Sequence, residues 1–102
     1  LVKKSGVDPK IFLEILNSTY FKTGMSEKKA YKMIEGKYDA TFTLANLKKD
    51  ISTMTNTAKA LGIELPMITK AEEIYENAIS EGLGEMDYTG IIEYIKKNNE
   101  SK

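Results

Sequence analysis

Cysteine, histidine and arginine are all absent from these 102 residues. Without cysteine or histidine there can be no disulfide, thiol nucleophile, imidazole base or ordinary zinc site; no metal site is expected. Without arginine, the planar fork that grips phosphates and carboxylates at two points is missing, so every cation is a lysine. The 15 basic and 15 acidic residues cancel to a formal net charge of zero. No broad field therefore steers the chain to nucleic acid or anionic lipid, and neither is an expected partner. No apolar run approaches the roughly 18 residues that would suggest a membrane span. A glycine-rich phosphate loop is also lacking, because Gly82-Leu83-Gly84 has neither a preceding strand nor a third glycine. There is no sustained strand alternation, internal repeat or low-complexity tract.

What is present reads as a cytoplasmic, all-α domain spanning residues 1–102, with 41% apolar and 29% charged residues. The chain does not open on Met, and Leu1–Gly6 reads as a helix tail stopped at Gly6. A fragment of a larger protein is expected. Asp8-Pro9 starts a helix to about Thr19, with Ile11, Phe12, Ile15 and Leu16 inward. Ser26 is expected to cap a second helix ending at Glu35-Gly36, with Ala30, Tyr31, Met33 and Ile34 inward. A loop from Lys37 to Thr41 leads to a long third helix, about Thr43 to Leu61, which ends at Gly62. Pro66 opens a fourth helix to about Glu81, with Ile68, Ala71, Tyr75, Ala78 and Ile79 on one side. Asp87 caps a fifth that carries Ile91, Ile92 and Ile95, and the polar tail from Lys96 to Lys102 is expected to fray. The fold class is thus a compact bundle of about five helices.

The third helix carries the chemistry worth weighing. Leu44, Leu47, Ile51, Met54, Ala58 and Leu61 step alternately by three and four and form a seam. Phe42, Asn46, Lys49 and Thr53 step by four, three and four on another face, with Asp50 beside them. Two readings of Lys48-Lys49-Asp50 stay open on the residues alone. One is a solvated face with a local ion pair; the other is a surface that meets a ligand. Phe42 favours the second, since a large exposed aromatic needs a cover. The carboxylates Glu72, Glu73, Glu76 and Glu81 read as a solvated helix face, and the tyrosines as packing residues with wet hydroxyls.

Taken in order, Phe42, Lys49-Asp50-Ile51, Gly62-Ile63-Glu64-Leu65-Pro66 and Gly82-Leu83-Gly84-Glu85-Met86-Asp87-Tyr88-Thr89 resemble the C-terminal domain of the β-hydroxyacid dehydrogenases. This is the 3-hydroxyisobutyrate dehydrogenase family, which includes the tartronate semialdehyde and glyoxylate/succinic semialdehyde reductases. Ser5-Gly6-Val7-Asp8-Pro9 and Ile15-Leu16-Asn17-Ser18-Thr19 extend the resemblance across essentially the whole chain. Asn46 departs from it, because the family often places a bulkier residue there. That departure touches the shape of the pocket wall.

The resemblance implies a helical domain like that of 6-phosphogluconate dehydrogenase-type enzymes, preceded in the full enzyme by an NAD(P)-binding domain. It implies reversible hydride transfer between NAD or NADP and a small β-hydroxyacid or its semialdehyde. The family's catalytic lysine and companion asparagine, in a K-x-x-x-N motif, would lie upstream of Leu1. No catalytic residue is therefore expected within this chain, and the chain alone should be inactive. Lys49 matches a cofactor-contacting lysine, and Phe42 and Asp50 match residues that help close the substrate pocket. The expected partners are the small substrate, the chain's own dinucleotide-binding domain and a second copy in a homo-oligomer, most simply a dimer. A different class of function fits the same surface: a non-catalytic helical interaction module whose Phe42 face binds a protein.

Overall fold

The computed structural model describes residues 1–100 and shows five α-helices, with no strand among those residues. The chain divides into two compact units, Leu1–Lys37 and Tyr38 onward.

In the first unit, α1 spans Pro9–Asn17 and α2 spans Ala30–Glu35, with one π-helical turn, Met25–Lys29, leading into α2. Asp8 caps α1 as expected, accepting the Lys10 amide at 2.9 Å. The inward face of α1 differs from the expectation: Leu13 is buried and Leu16 half-buried, whereas Ile11, Phe12 and Ile15 are exposed. Apolar side chains run almost all the way round this helix, so periodicity alone does not choose a face. The buried side is the one that packs on α2 and the turn before it, and a polar tie lies there too. Asn17 accepts the Ser26 hydroxyl at 2.7 Å and donates to the Ser26 carbonyl at 3.2 Å. Ser26 is thus not the cap of the second helix. Thr23 fills that role: its hydroxyl accepts the Ser26 amide at 2.9 Å, while the Ser26 hydroxyl accepts the Thr23 amide at 2.8 Å. That reciprocal pair closes two orphan donors at once. Gly36, at φ +70°, ends α2.

In the second unit, α3 spans Leu44–Ala60, α4 spans Pro66–Ala78 and α5 spans Ile91–Glu100. A π-helical turn, Ile79–Leu83, extends α4, and a 3-10 turn, Tyr88–Gly90, leads into α5. The α3 helix packs on α4 and on both of these turns. Leu44, Ile51, Ala58 and Ala78 are buried. The seam follows the expected step as far as Ile51 and then shifts, leaving Met54 and Leu61 exposed while Thr55 is buried. Thr55 tolerates burial because its hydroxyl lies 3.0 Å from both Glu72 Oε2 and the Ser52 carbonyl. At the far end, Gly62 sits at φ +70°, and the amides of Gly62 and Ile63 close back on the carbonyls of Lys59 and Ala58 at 3.1 and 2.8 Å. Only glycine adopts that backbone without strain.

On α5, Ile91 and Ile92 are half-buried but Ile95 is exposed. The helix runs on through residues 96–100, so the tail is helical over that stretch; positions 101 and 102 of the expected frayed end lie outside the described residues.

Candidate functional site

Lys49, Asp50 and Asn46 are all exposed on α3, in its N-terminal half. Among the described residues, Lys49 and Asp50 form no ion pair with each other or with a neighbour, so the local Lys–Asp pair of the solvated-face reading is absent. Phe42 does not share their helical row. Thr43 is the N-cap, with an extended backbone (φ −75°, ψ 156°) and its side chain accepting the Asn46 amide, which leaves Phe42 in the loop before the helix. The ring of Phe42 is 36% exposed and meets Tyr88 edge-on, with centroids 6.2 Å apart and planes at 74°. Tyr88 therefore supplies part of the cover that Phe42 needs.

An interlock fixes this corner. The amides of Leu44 and Ala45 donate to the carbonyls of Met86 and Gly84 at 2.9 and 3.0 Å, and the Tyr88 amide donates to the Phe42 carbonyl at 2.7 Å. The first amides of α3 are thereby used up, so the helix N-terminus offers no anion site of the usual kind. A Cβ at Gly84 would stand 3.4 Å from the Ile79 side chain and 3.8 Å from that of Ala45, ordinary contact distances, so the joint does not depend on glycine there.

Asp87 sits at the centre of the interlock and is fully buried. Its Oδ1 accepts the Thr41 amide and hydroxyl, each at 3.0 Å, and the Phe42 amide at 3.3 Å. Its Oδ2 accepts the Thr89 hydroxyl at 2.6 Å and the Thr89 amide at 3.3 Å. Burial alone would raise its pKa, but the bonds from Thr89, then Thr41 and Phe42, outweigh it and hold the carboxyl well below the usual range. The sequence showed only half of this. Asp-x-Thr marks Asp87 as a local cap, and it does cap the Tyr88–Gly90 turn. Its hold on Thr41 and Phe42 spans 46 and 45 residues and leaves no local pattern.

A second polar cluster joins α3 to α4. Glu73, Glu76 and Glu81 are exposed, as expected of a solvated face, but Glu72 is half-buried and accepts the Thr55 hydroxyl. The hydroxyls of Ser52 and then Thr55 hold Glu72 below its ordinary pKa. Ser52 Oγ is buried without a partner in good geometry, so it acts as a nearby dipole, whereas Thr55 makes a formed bond.

Two open hollows mark the surface of this unit. One lies between the end of α3 and the start of α4, lined by Ala58, Ile63, Leu65 and Pro66 with Lys59 and Glu73 at its rim. The other lies between Glu81 and the α5 residues Glu93, Tyr94 and Lys97. Neither is lined by Phe42, Lys49 or Asp50.

The fold is that of part of a hydroxyacid dehydrogenase: it matches a crystal structure of 3-hydroxyisobutyrate dehydrogenase from Salmonella typhimurium with a TM-score of 0.82 at 22% identity, covering 91% of this chain and 33% of that one. By sequence, residues 1–95 match the family model described as NAD-binding of NADP-dependent 3-hydroxyisobutyrate dehydrogenase, and the chain belongs to that family. Curated relatives include glyoxylate/succinic semialdehyde reductase 2 of Arabidopsis thaliana, 29% identical over 94% of this chain and 27% of its own length. Another is the mitochondrial 3-hydroxyisobutyrate dehydrogenase of Drosophila melanogaster, 26% identical over 95% of this chain and 32% of its own length. The chain thus spans about a third of the relatives it matches. No described helix is long and apolar enough to cross a membrane.

Proposed function

We propose that this chain is the C-terminal helical domain of an NAD(P)-dependent β-hydroxyacid dehydrogenase, closing over the cofactor and a small hydroxyacid or semialdehyde held by an N-terminal dinucleotide-binding domain. The observation that carries the reading is the placement of Lys49 and Asp50. Both are exposed and unpaired on a rigid helix within a chain whose family binds NAD. In this reading Lys49 reaches the cofactor. A single ammonium on a flexible stem suits one contact to an amide, ribose or phosphate oxygen, and the spent amides of α3 add no second grip. The residues therefore fit a closing contact and not a dinucleotide cradle. Phe42 walls the substrate pocket, and Asp50, about 100° round the helix from Lys49, helps close it.

The nicotinamide supplies the hydride acceptor or donor. The hydroxyl-bearing carbon of the substrate loses its hydrogen as hydride, and the hydroxyl proton goes to a base that the resemblance places upstream of this chain. This domain contributes shape, water exclusion and one positive charge. The chain on its own is expected to be inactive, and the exposed apolar residues Ile11, Phe12, Ile15 and Phe21 support self-association, most simply as a dimer.

The test is hydride transfer by the full-length polypeptide, followed by nicotinamide absorbance with 3-hydroxyisobutyrate, succinic semialdehyde and glyoxylate in turn. Turnover of one of them, lost on removing residues 1–102, supports the reading. No turnover of 3-hydroxyisobutyrate with NAD or NADP, nor of the two aldehydes with NADH or NADPH, overturns it.

A further inference from the structure

We propose that Asp87 is a positioning residue for the substrate pocket: it acts through Phe42, holding that ring at the pocket wall without touching substrate itself. The inference rests on the reading of Phe42 given above and goes beyond it by naming what sets Phe42 in place.

Phe42 has few other restraints. It precedes α3, so no helical hydrogen bond orders it. Its amide is held by Asp87 Oδ1 and its carbonyl by the amide of Tyr88, the residue next to Asp87. Both backbone groups of Phe42 are thus anchored to one dipeptide, and its ring packs edge-on to the ring of the same Tyr88. Moving Asp87 moves all of these contacts together.

The two carboxylate oxygens serve different segments. Oδ1 receives Thr41 and Phe42, and Oδ2 receives Thr89. An ionised carboxylate presents acceptors on both sides. An asparagine presents one acceptor and one donor, so in either orientation its NH2 faces backbone N–H groups, those of Thr41 and Phe42 or that of Thr89, which cannot accept, and that half of the joint weakens. The chemistry therefore demands an acid at this buried position, where a cap alone would accept Asn or Ser equally well. Because the segments are separable, so are the effects of losing them.

In the full-length enzyme, with 3-hydroxyisobutyrate and whichever of NAD or NADP supports turnover, Asp87→Asn should raise the substrate KM about tenfold, since small misplacements of a pocket wall are costly. The cofactor KM should stay unchanged and kcat should move less than twofold. Thr89→Val, which removes the hydroxyl donor to Oδ2 and leaves Oδ1 untouched, should lower the melting temperature without moving the substrate KM. Thr41→Val removes one donor on the Oδ1 side; it should raise the substrate KM two- to threefold and serves if Asp87→Asn does not fold. Amide exchange over residues 40–46 should quicken in Asp87→Asn and Thr41→Val but not in Thr89→Val. If substrate KM tracks melting temperature across all three variants, Asp87 is only a structural residue and the inference is overturned. Phe42→Ala separates the two claims. An unchanged KM in that variant removes the pocket-wall reading and the inference with it. A raised KM in Phe42→Ala beside unchanged values in Asp87→Asn and Thr41→Val overturns the inference alone.

Discussion

The hydroxyl of Tyr38 donates to the carboxylate of Glu93, 55 residues further along the chain, joining the start of the second unit to its last helix. Burial first, then the bond to Glu93 and its negative charge, push the Tyr38 pKa well above that of an ordinary phenol. A raised folded-state value means that the folded chain keeps a proton the unfolded chain gives up. The stabilisation is complete below about pH 10, the unfolded value, and is lost as pH rises beyond it. Thermal melts between pH 8 and 11 should show this alkaline loss. Tyr38→Phe should flatten it and cost about 1 kcal/mol at neutral pH.

Beside Glu72, Asp87 contributes to the acid limb. Its depressed pKa keeps the carboxylate ionised in the folded chain where an unfolded aspartate begins to protonate, at about pH 4. Its contribution is therefore whole above that pH and falls away as pH drops toward the folded value. Melting temperature followed from pH 6 to pH 2 should fall, and Asp87→Asn should be less stable at neutrality yet show a shallower decline.

Leu44 is fully buried and Met54 is 46% exposed, although both belong to the apolar stripe read from the sequence. Leu44→Ala should cost about 3 kcal/mol through lost burial and a residual cavity, and Met54→Ala well under half of that. Urea midpoints for the pair report whether the seam steps by four after Ile51; equal losses would restore the straight seam.

Lys49→Ala and Asp50→Ala should each leave stability within about 0.5 kcal/mol, because both side chains are exposed and unpaired. In the full-length enzyme, Lys49→Ala should raise the cofactor KM, while Asp50→Ala should change the substrate KM. Parental constants in both variants, with parental melting temperatures, would return the pair to a solvated face.

Much of the helical order was legible because caps and stops are local. Asp8-Pro9, Gly36, Gly62 and Pro66 each act over a few residues, and each helix boundary they mark is found. Faces were less legible. Ile11, Phe12 and Ile15 are as apolar as Leu13, and what separates them is packing on α2 and the turn before it, together with the Asn17–Ser26 tie, none of it visible in the periodicity. Thr55 displaces Met54 from the seam because Glu72 satisfies its hydroxyl from another helix, and a one-dimensional pattern does not reveal that partner. At the candidate site, the exposure of Lys49 and Asp50 followed from the helical period. The place of Phe42 did not, because a helix begins where its cap sits, and Thr43 rather than a preceding residue holds that position.

The joint between α3 and the 84–88 segment is built largely from peptide groups: Leu44 to Met86, Ala45 to Gly84 and Tyr88 to Phe42. Peptide groups are the same whatever side chain they carry. Such a joint is blind to most substitution, demanding little beyond the acid at Asp87. Its side chains can drift through descent while the corner keeps its shape. A surface laid on that corner can change its chemistry without the frame beneath it having to be rebuilt.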